Sequence, residues 1–156
     1  MSAAQAEFPL TTYYDASCPL CRQEMHTIKR YDWRDRLRLV DCSVADFDDP
    51  VARQAGVTQA EMMRLIRARD AHGLWFVGVD VFVLAYRATD NRLVAGLWAN
   101  AWLRPLWDRL YPWVARYRMP LSKIGFTGLF NRLVRWSAAR AHRRSRSCQD
   151  GLCRLD

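Results

Sequence analysis

Cys18 and Cys21 stand one helical turn apart in the stretch YYDASCPLC (residues 13–21), with Asp15 three residues ahead of the first sulfur. Two thiols at this spacing suit a redox dithiol, half of a metal site, or a helix start that happens to contain sulfur. Only a thiolate attacks a disulfide, and a helix N-terminus lowers a thiol's pKa because its unpaired N–H groups and the macrodipole favour negative charge. Pro19 suits the first helical position, which puts Cys18 at the N-cap. The spacing therefore predicts Cys18 as the attacking thiol and Cys21 as the resolving one, which closes an intramolecular disulfide and releases a mixed-disulfide partner. Asp15 has two readings: a carboxylate that takes the Cys21 proton during resolution, or a turn aspartate hydrogen-bonded to backbone.

The chain has 5 cysteines. Cys42 falls at the end of a predicted strand and reads as a small buried hydrophobe. Cys148 and Cys153, in CQDGLC, bracket an Asp-Gly pair that can bend the loop shut. They read as a second redox pair relaying electrons to Cys18, as the other half of a four-thiolate zinc site with Cys18 and Cys21, or as plain tail thiols. His26, His72 and His142 have no ligand spacing to one another and read as surface residues. No glycine-rich phosphate loop, paired catalytic carboxylates or Ser/His/Asp arrangement is present, so hydrolase and nucleotide-binding readings have little support, and no cofactor or metal is expected.

The elements that must hold the dithiol follow from pattern. FPLTTYY (8–14) is β-branched and aromatic and reads as a strand leading into it. Behind Cys18 a helix runs to about Tyr31–Arg34, with Met25 and Ile28 continuing the Cys21 face inward while Arg22, Lys29 and Arg30 stay wet. LRLVDCS (37–43) is a second strand, and DDPVARQAG (48–56) a short helix capped by Asp48 or Asp49 and closed by Gly56. Thr58 and Glu61 have capping-box spacing. MRLIRAR (63–69) and LWFV (74–77) flank DAHG, the turn of an antiparallel hairpin. Together these predict an α/β mixed sheet with flanking helices. From Val79 onward the period turns helical, with Val79, Phe82, Val83 and Tyr86 on one face and Pro105 separating two later helices. Trp98, Trp102, Trp107 and Trp113 read mostly as core packing, with an exposed aromatic patch as the alternative.

At 156 residues the chain fits one domain that needs no cross-links, and its longest apolar run, LVAGLWANAWL (93–103), is too short to span a bilayer. The first residues show no export signal, so the reducing cytoplasm is the expected location, where a C-x-x-C is catalytic or metal-binding more often than structural. Charge is unevenly placed. Residues 1–103 carry 12 Lys+Arg against 13 Asp+Glu, whereas residues 104–156 carry 12 against 3. A solvated arginine-rich face is the plainer reading, and a nucleic-acid or anionic-membrane contact the other.

YYDASCPLC, the DAHG hairpin, the helix after Gly78 and YPWVARYR (111–118) together resemble the DCC thiol-disulfide oxidoreductase family, named for an Asp-x-x-Cys-x-x-Cys signature that Asp15, Cys18 and Cys21 match. The resemblance spans roughly residues 8–120. It implies a thioredoxin-like fold; the helical period after Val79 adds a helical C-terminal extension, and the reading as a whole is exchange with a protein or low-molecular-weight thiol or disulfide. No proline precedes the MRLIRAR strand, so a thioredoxin-style groove for substrate backbone is not implied. The expected organisation is a core over residues 8–90, a helical extension packed on it over 91–141, and a basic cysteine-containing tail over 142–156. The competing functional reading is a binding module, either zinc-stabilised through its cysteines or contacting nucleic acid or a membrane surface through its basic last third.

Overall fold

The computed structural model describes residues 6–123 together with Arg132 and Trp136. Its elements run β1 (Leu10–Tyr14), α1 (Pro19–Arg30), β2 (Leu37–Asp41), α2 (Pro50–Gln54), α3 (Gln59–Arg64), β3 (Arg67–Arg69), β4 (Trp75–Val77), α4 (Val79–Ala88), α5 (Arg92–Ala99) and α6 (Arg104–Lys123). The strands form one sheet in the order β2-β1-β3-β4. β1 is parallel to β2, pairing Leu10 with Leu37 and Tyr14 with Asp41, and antiparallel to β3, which is antiparallel to β4. This mixed sheet with flanking helices is the thioredoxin-like α/β fold expected from the sequence.

Alternation along β1 builds two cores. Side chains on a strand point to opposite faces in turn, so Leu10 and Tyr14 join Leu37, Ala68, Phe76, Met25 of α1 and most of α4 on one face. Tyr13 joins Cys42, Ala52 and Met62 on the other, under α2 and α3. α4 is apolar almost all round, as suits a helix enclosed on every side, and every residue from Val81 to Tyr86 is buried. It starts at Gly78, whose φ of +66° favours glycine and whose missing side chain faces the Tyr111 ring of α6.

Several expected boundaries move. MRLIRAR is not a strand throughout: Thr58 accepts from the Glu61 N–H while the Glu61 carboxylate accepts from the Thr58 N–H, and the box carries α3 to Arg64 before Leu65 turns extended. Pro105 does not separate the helices but sits at the second position of α6, where its missing N–H is harmless. The separation comes from Asn100, whose side chain accepts from the Trp102 N–H at 2.9 Å. α6 then continues through Pro112 and Pro120. The tryptophans divide: Trp98 and Trp107 are half-buried and 5.0 Å apart, while Trp102 (94% exposed) and Trp113 (53%) face outward. Among the described residues no helix is long and apolar enough to cross a membrane. Cys148, Cys153 and His142, with the rest of the basic tail, lie outside the described residues.

Candidate functional site

β1 ends at Tyr14, the chain turns over Asp15–Ser17, and α1 begins at Pro19 with Cys18 as its N-cap. Cys18 has extended backbone angles (φ −84°, ψ 112°), so its side chain folds back over the first turn and its sulfur accepts the Cys21 N–H at 3.3 Å. The Cys21 side chain also bonds the Cys18 sulfur, and this is the largest influence holding the Cys18 thiol down at about 6; burial opposes it, and the Cys21 N–H and Arg118 add to it. The partner shifts the opposite way. Donating to Cys18, together with burial, holds the Cys21 thiol far above its ordinary range. The pair is thus polarised, with Cys18 shifted toward the thiolate and Cys21 toward the thiol. Accessibility runs against acidity: Cys18 has no exposed surface, whereas Cys21 is partly exposed.

Asp15 is 4% exposed and fully engaged. One carboxylate oxygen accepts from the Ser17 N–H (2.9 Å) and hydroxyl (2.5 Å), and the other accepts from the Arg118 guanidinium (2.5 Å). The first set is the turn-aspartate arrangement; the second ties α6 to the end of β1 across 103 residues of sequence. The ion pair fixes the guanidinium where it favours the Cys18 thiolate.

Glu24 completes the cluster. It lies one turn beyond Cys21 on α1, and burial pushes its carboxyl up to about 7, with a bond from the Tyr86 hydroxyl (3.4 Å) opposing and the nearby Cys18 adding to the rise. A carboxyl poised near neutrality beside a dithiol can hold or release a proton during exchange. Sequence reasoning missed both Glu24 and Arg118. Glu24 carried a usable signal, since it sits at i+3 from Cys21 on the inward side of an amphipathic helix. Arg118 carried none beyond lying in YPWVARYR.

Cys21, Glu24, Asp15 and Arg118 line one end of a cavity of about 210 Å³ between α1 and α6. The Tyr111 hydroxyl, also on its wall, accepts the Ile66 N–H at 3.3 Å. The backbone donor just ahead of β3 is therefore occupied by α6.

The remaining cysteine and histidines lie apart from this cluster. Cys42 is wholly buried on the opposite core, donates to the Tyr14 carbonyl oxygen (3.1 Å), and has its thiol pushed up to about 12 by burial and by Asp15 and Asp41. His26 and His72 are exposed, bonded to the Tyr14 hydroxyl (2.9 Å) and the Glu7 carboxylate (3.0 Å) respectively. Among the described residues no three His, Cys, Asp or Glu side chains gather as a metal site would require; the four-thiolate arrangement needs Cys148 and Cys153, outside those residues.

Comparison with known proteins identifies a family. The model of a family described as DCC1-like thiol-disulfide oxidoreductase covers residues 12–124, which include Asp15, Cys18, Cys21, Glu24 and Arg118. No curated protein and no solved structure matches the chain.

Proposed function

The chain belongs to the DCC1-like thiol-disulfide oxidoreductase family, and from that premise we propose that it exchanges disulfides through the Cys-Pro-Leu-Cys dithiol at the N-terminus of α1. The observation that carries this reading is geometric: Cys18 caps the N-terminus of α1, its sulfur accepts the Cys21 N–H at 3.3 Å, and the Arg118 guanidinium adds to the lowering of its thiol. A thiol held near about 6 is largely thiolate at neutral pH and so is ready to attack.

In this mechanism the Cys18 thiolate attacks a disulfide of a protein or small molecule, forming a mixed disulfide and expelling one thiolate. Cys21 loses its proton, attacks the Cys18 sulfur and expels the second thiolate, leaving a Cys18–Cys21 disulfide. Glu24 receives the Cys21 proton, because its neutral and charged forms are nearly balanced at physiological pH. Asp15 acts by holding Arg118 rather than by moving a proton, since both its oxygens are already engaged. Because Cys18 has no exposed surface, a protein disulfide reaches it only once the residues that cover it move aside.

The test is stoichiometric reduction of a protein disulfide by the reduced chain. Cys18→Ser and Cys21→Ser are each expected to abolish two-electron exchange, with Cys21→Ser accumulating a mixed disulfide on Cys18. Cys42→Ser retains most of the rate, because Cys42 lies on the far side of the sheet. Equal loss in the Cys42 variant, or full activity without Cys18, overturns the assignment.

A further inference from the structure

The cavity beside the dithiol has features that the exchange reaction alone does not require. At about 210 Å³ it exceeds the space of about 150 Å³ that accepts a benzene molecule in an apolar protein interior. Away from the sulfur its walls are aromatic and aliphatic: Phe82 stacks on Trp98 at 5.2 Å, Trp98 meets Trp107 at 5.0 Å, and Tyr111 meets Phe82 edge-on. Leu110 also lines it and is 41% exposed, which brings one side of the cavity to the surface. Its charged groups are matched internally, Arg118 by Asp15 and Glu24 by the Tyr86 hydroxyl. A charged ligand entering here loses water without gaining a counter-charge, whereas a flat apolar group gains contact with four aromatic rings. The sulfur on the wall is Cys21; Cys18 does not line the cavity and has no exposed surface.

We propose that this cavity binds the ring-sized apolar group of a neutral low-molecular-weight disulfide, and that such a substrate exchanges first with Cys21 rather than Cys18. The proposal rests on the reading that the dithiol exchanges disulfides, and adds a substrate class and an entry sulfur to it. The Cys21 proton passes to Glu24, which lines the same cavity, and Cys21 Sγ attacks the nearer sulfur of RS–SR. A Cys21–S–S–R bond forms, the RS–SR bond breaks and RS⁻ leaves. The proton on Glu24 then goes to that departing thiolate, giving RSH, and Cys18 remains a thiolate. Cys18 Sγ attacks Cys21 Sγ and the second RS⁻ departs. Two electrons pass from the dithiol to the substrate, and the products are the Cys18–Cys21 disulfide, RSH and RS⁻. Cys21 is on the cavity wall, so the substrate reaches it between α1 and α6.

The experiment uses the full chain with Cys42, Cys148 and Cys153 changed to serine, so that only the dithiol reacts. Dithiodipyridine, a neutral two-ring disulfide, is compared with oxidised glutathione, a charged one, each rate being divided by that of an unstructured peptide containing Cys-Pro-Leu-Cys. The expected result is a saturating rate with dithiodipyridine and a selectivity for it of tenfold or more. Ala115→Phe, which fills the cavity from its buried wall, and Leu110→Trp, which fills it from its exposed side and spares the core, each cut that selectivity at least tenfold. With one sulfur removed at a time, the pyridyl adduct forms faster on Cys21 in Cys18→Ser than on Cys18 in Cys21→Ser. Binding is read separately, by quenching of tryptophan fluorescence with the ethane-bridged isostere dipyridylethane in the chain lacking both sulfurs. Exchange with both disulfides but no isostere binding, or faster adduct formation on Cys18, overturns the cavity proposal and leaves the exchange reading standing. Isostere binding without exchange of any disulfide overturns the exchange reading, and the substrate assignment with it.

Discussion

Glu24 and Cys18 titrate in opposite senses within overlapping pH ranges, and their signs separate them. Folding raises the Glu24 carboxyl from 4.5 to about 7. Its neutral form is the favoured one, so that contribution is complete below the unfolded value and is lost as pH rises through about 7. Glu24→Gln is therefore expected to leave stability nearly unchanged at pH 5 and to raise it by about 1–3 kcal/mol at pH 8, measured by urea unfolding at both pH values; a variant that destabilises equally at both refutes the buried-charge account. Folding lowers Cys18 from 9.0 to about 6. The contribution of its thiolate is complete above the unfolded value and is lost as pH falls through about 6, so reduced wild type gains on Cys18→Ser between those values. The same shift predicts that alkylation of Cys18, followed by peptide mass, has its midpoint near about 6. Arg118→Gln moves that midpoint upward, by up to roughly one unit, because it removes a nearby positive charge. An unmoved midpoint would show that the bonds from Cys21 suffice alone.

At the scale of elements, the signals that worked were local ones. Pro19 after Cys18 and Pro50 after Asp49 marked helix starts to the residue, because a cap joins groups only two or three positions apart. Thr58 and Glu61 did the same for α3, and Thr58→Ala is expected to cost about 1 kcal/mol in thermal unfolding, an unchanged midpoint arguing against the box. Where local patterns compete, reading fails: the apolar and basic residues of MRLIRAR suit a strand, yet the box upstream commits Gln59–Arg64 to helix and leaves three residues to β3. Gly73 and Gly78 both have positive φ, +87° and +66°, but only at Gly78 does an added Cβ meet a neighbour, the Tyr111 ring at the ordinary contact distance of 3.5 Å. Alanine at either position is thus expected to cost about 1–2 kcal/mol from backbone conformation alone. A much larger loss at Gly78 would mean that Tyr111 cannot shift and that α6 packing is tighter than this geometry implies.

Across the whole molecule, one long-range contact joins the helical segment to the sheet's reactive end. Asp15 and Arg118 are 4% and 15% exposed, so removing either strands the other in a poorly hydrated place. Asp15→Ala and Arg118→Ala are each expected to destabilise by roughly 2–4 kcal/mol, with the double variant losing clearly less than the sum in a double-mutant cycle. Additive losses would mean that the pair is not coupled and that α6 is held by its apolar face alone. The dithiol, its place at a helix start, the order of strands and helices through α4 and the mixed sheet were legible in the amino-acid order, because spacing, caps and alternation are short-range properties. What only the tertiary structure decided is what surrounds the sulfurs. The Arg118 guanidinium, the Tyr86 hydroxyl and the tryptophans that wall the cavity lie 60 or more residues from Cys18 and Glu24 in sequence. No local pattern encodes their distance to Cys18 or Glu24; packing of α4, α5 and α6 against α1 sets it, and with it the burial that raises Glu24, the guanidinium that helps lower Cys18, and the exposure that leaves Cys21 the accessible sulfur.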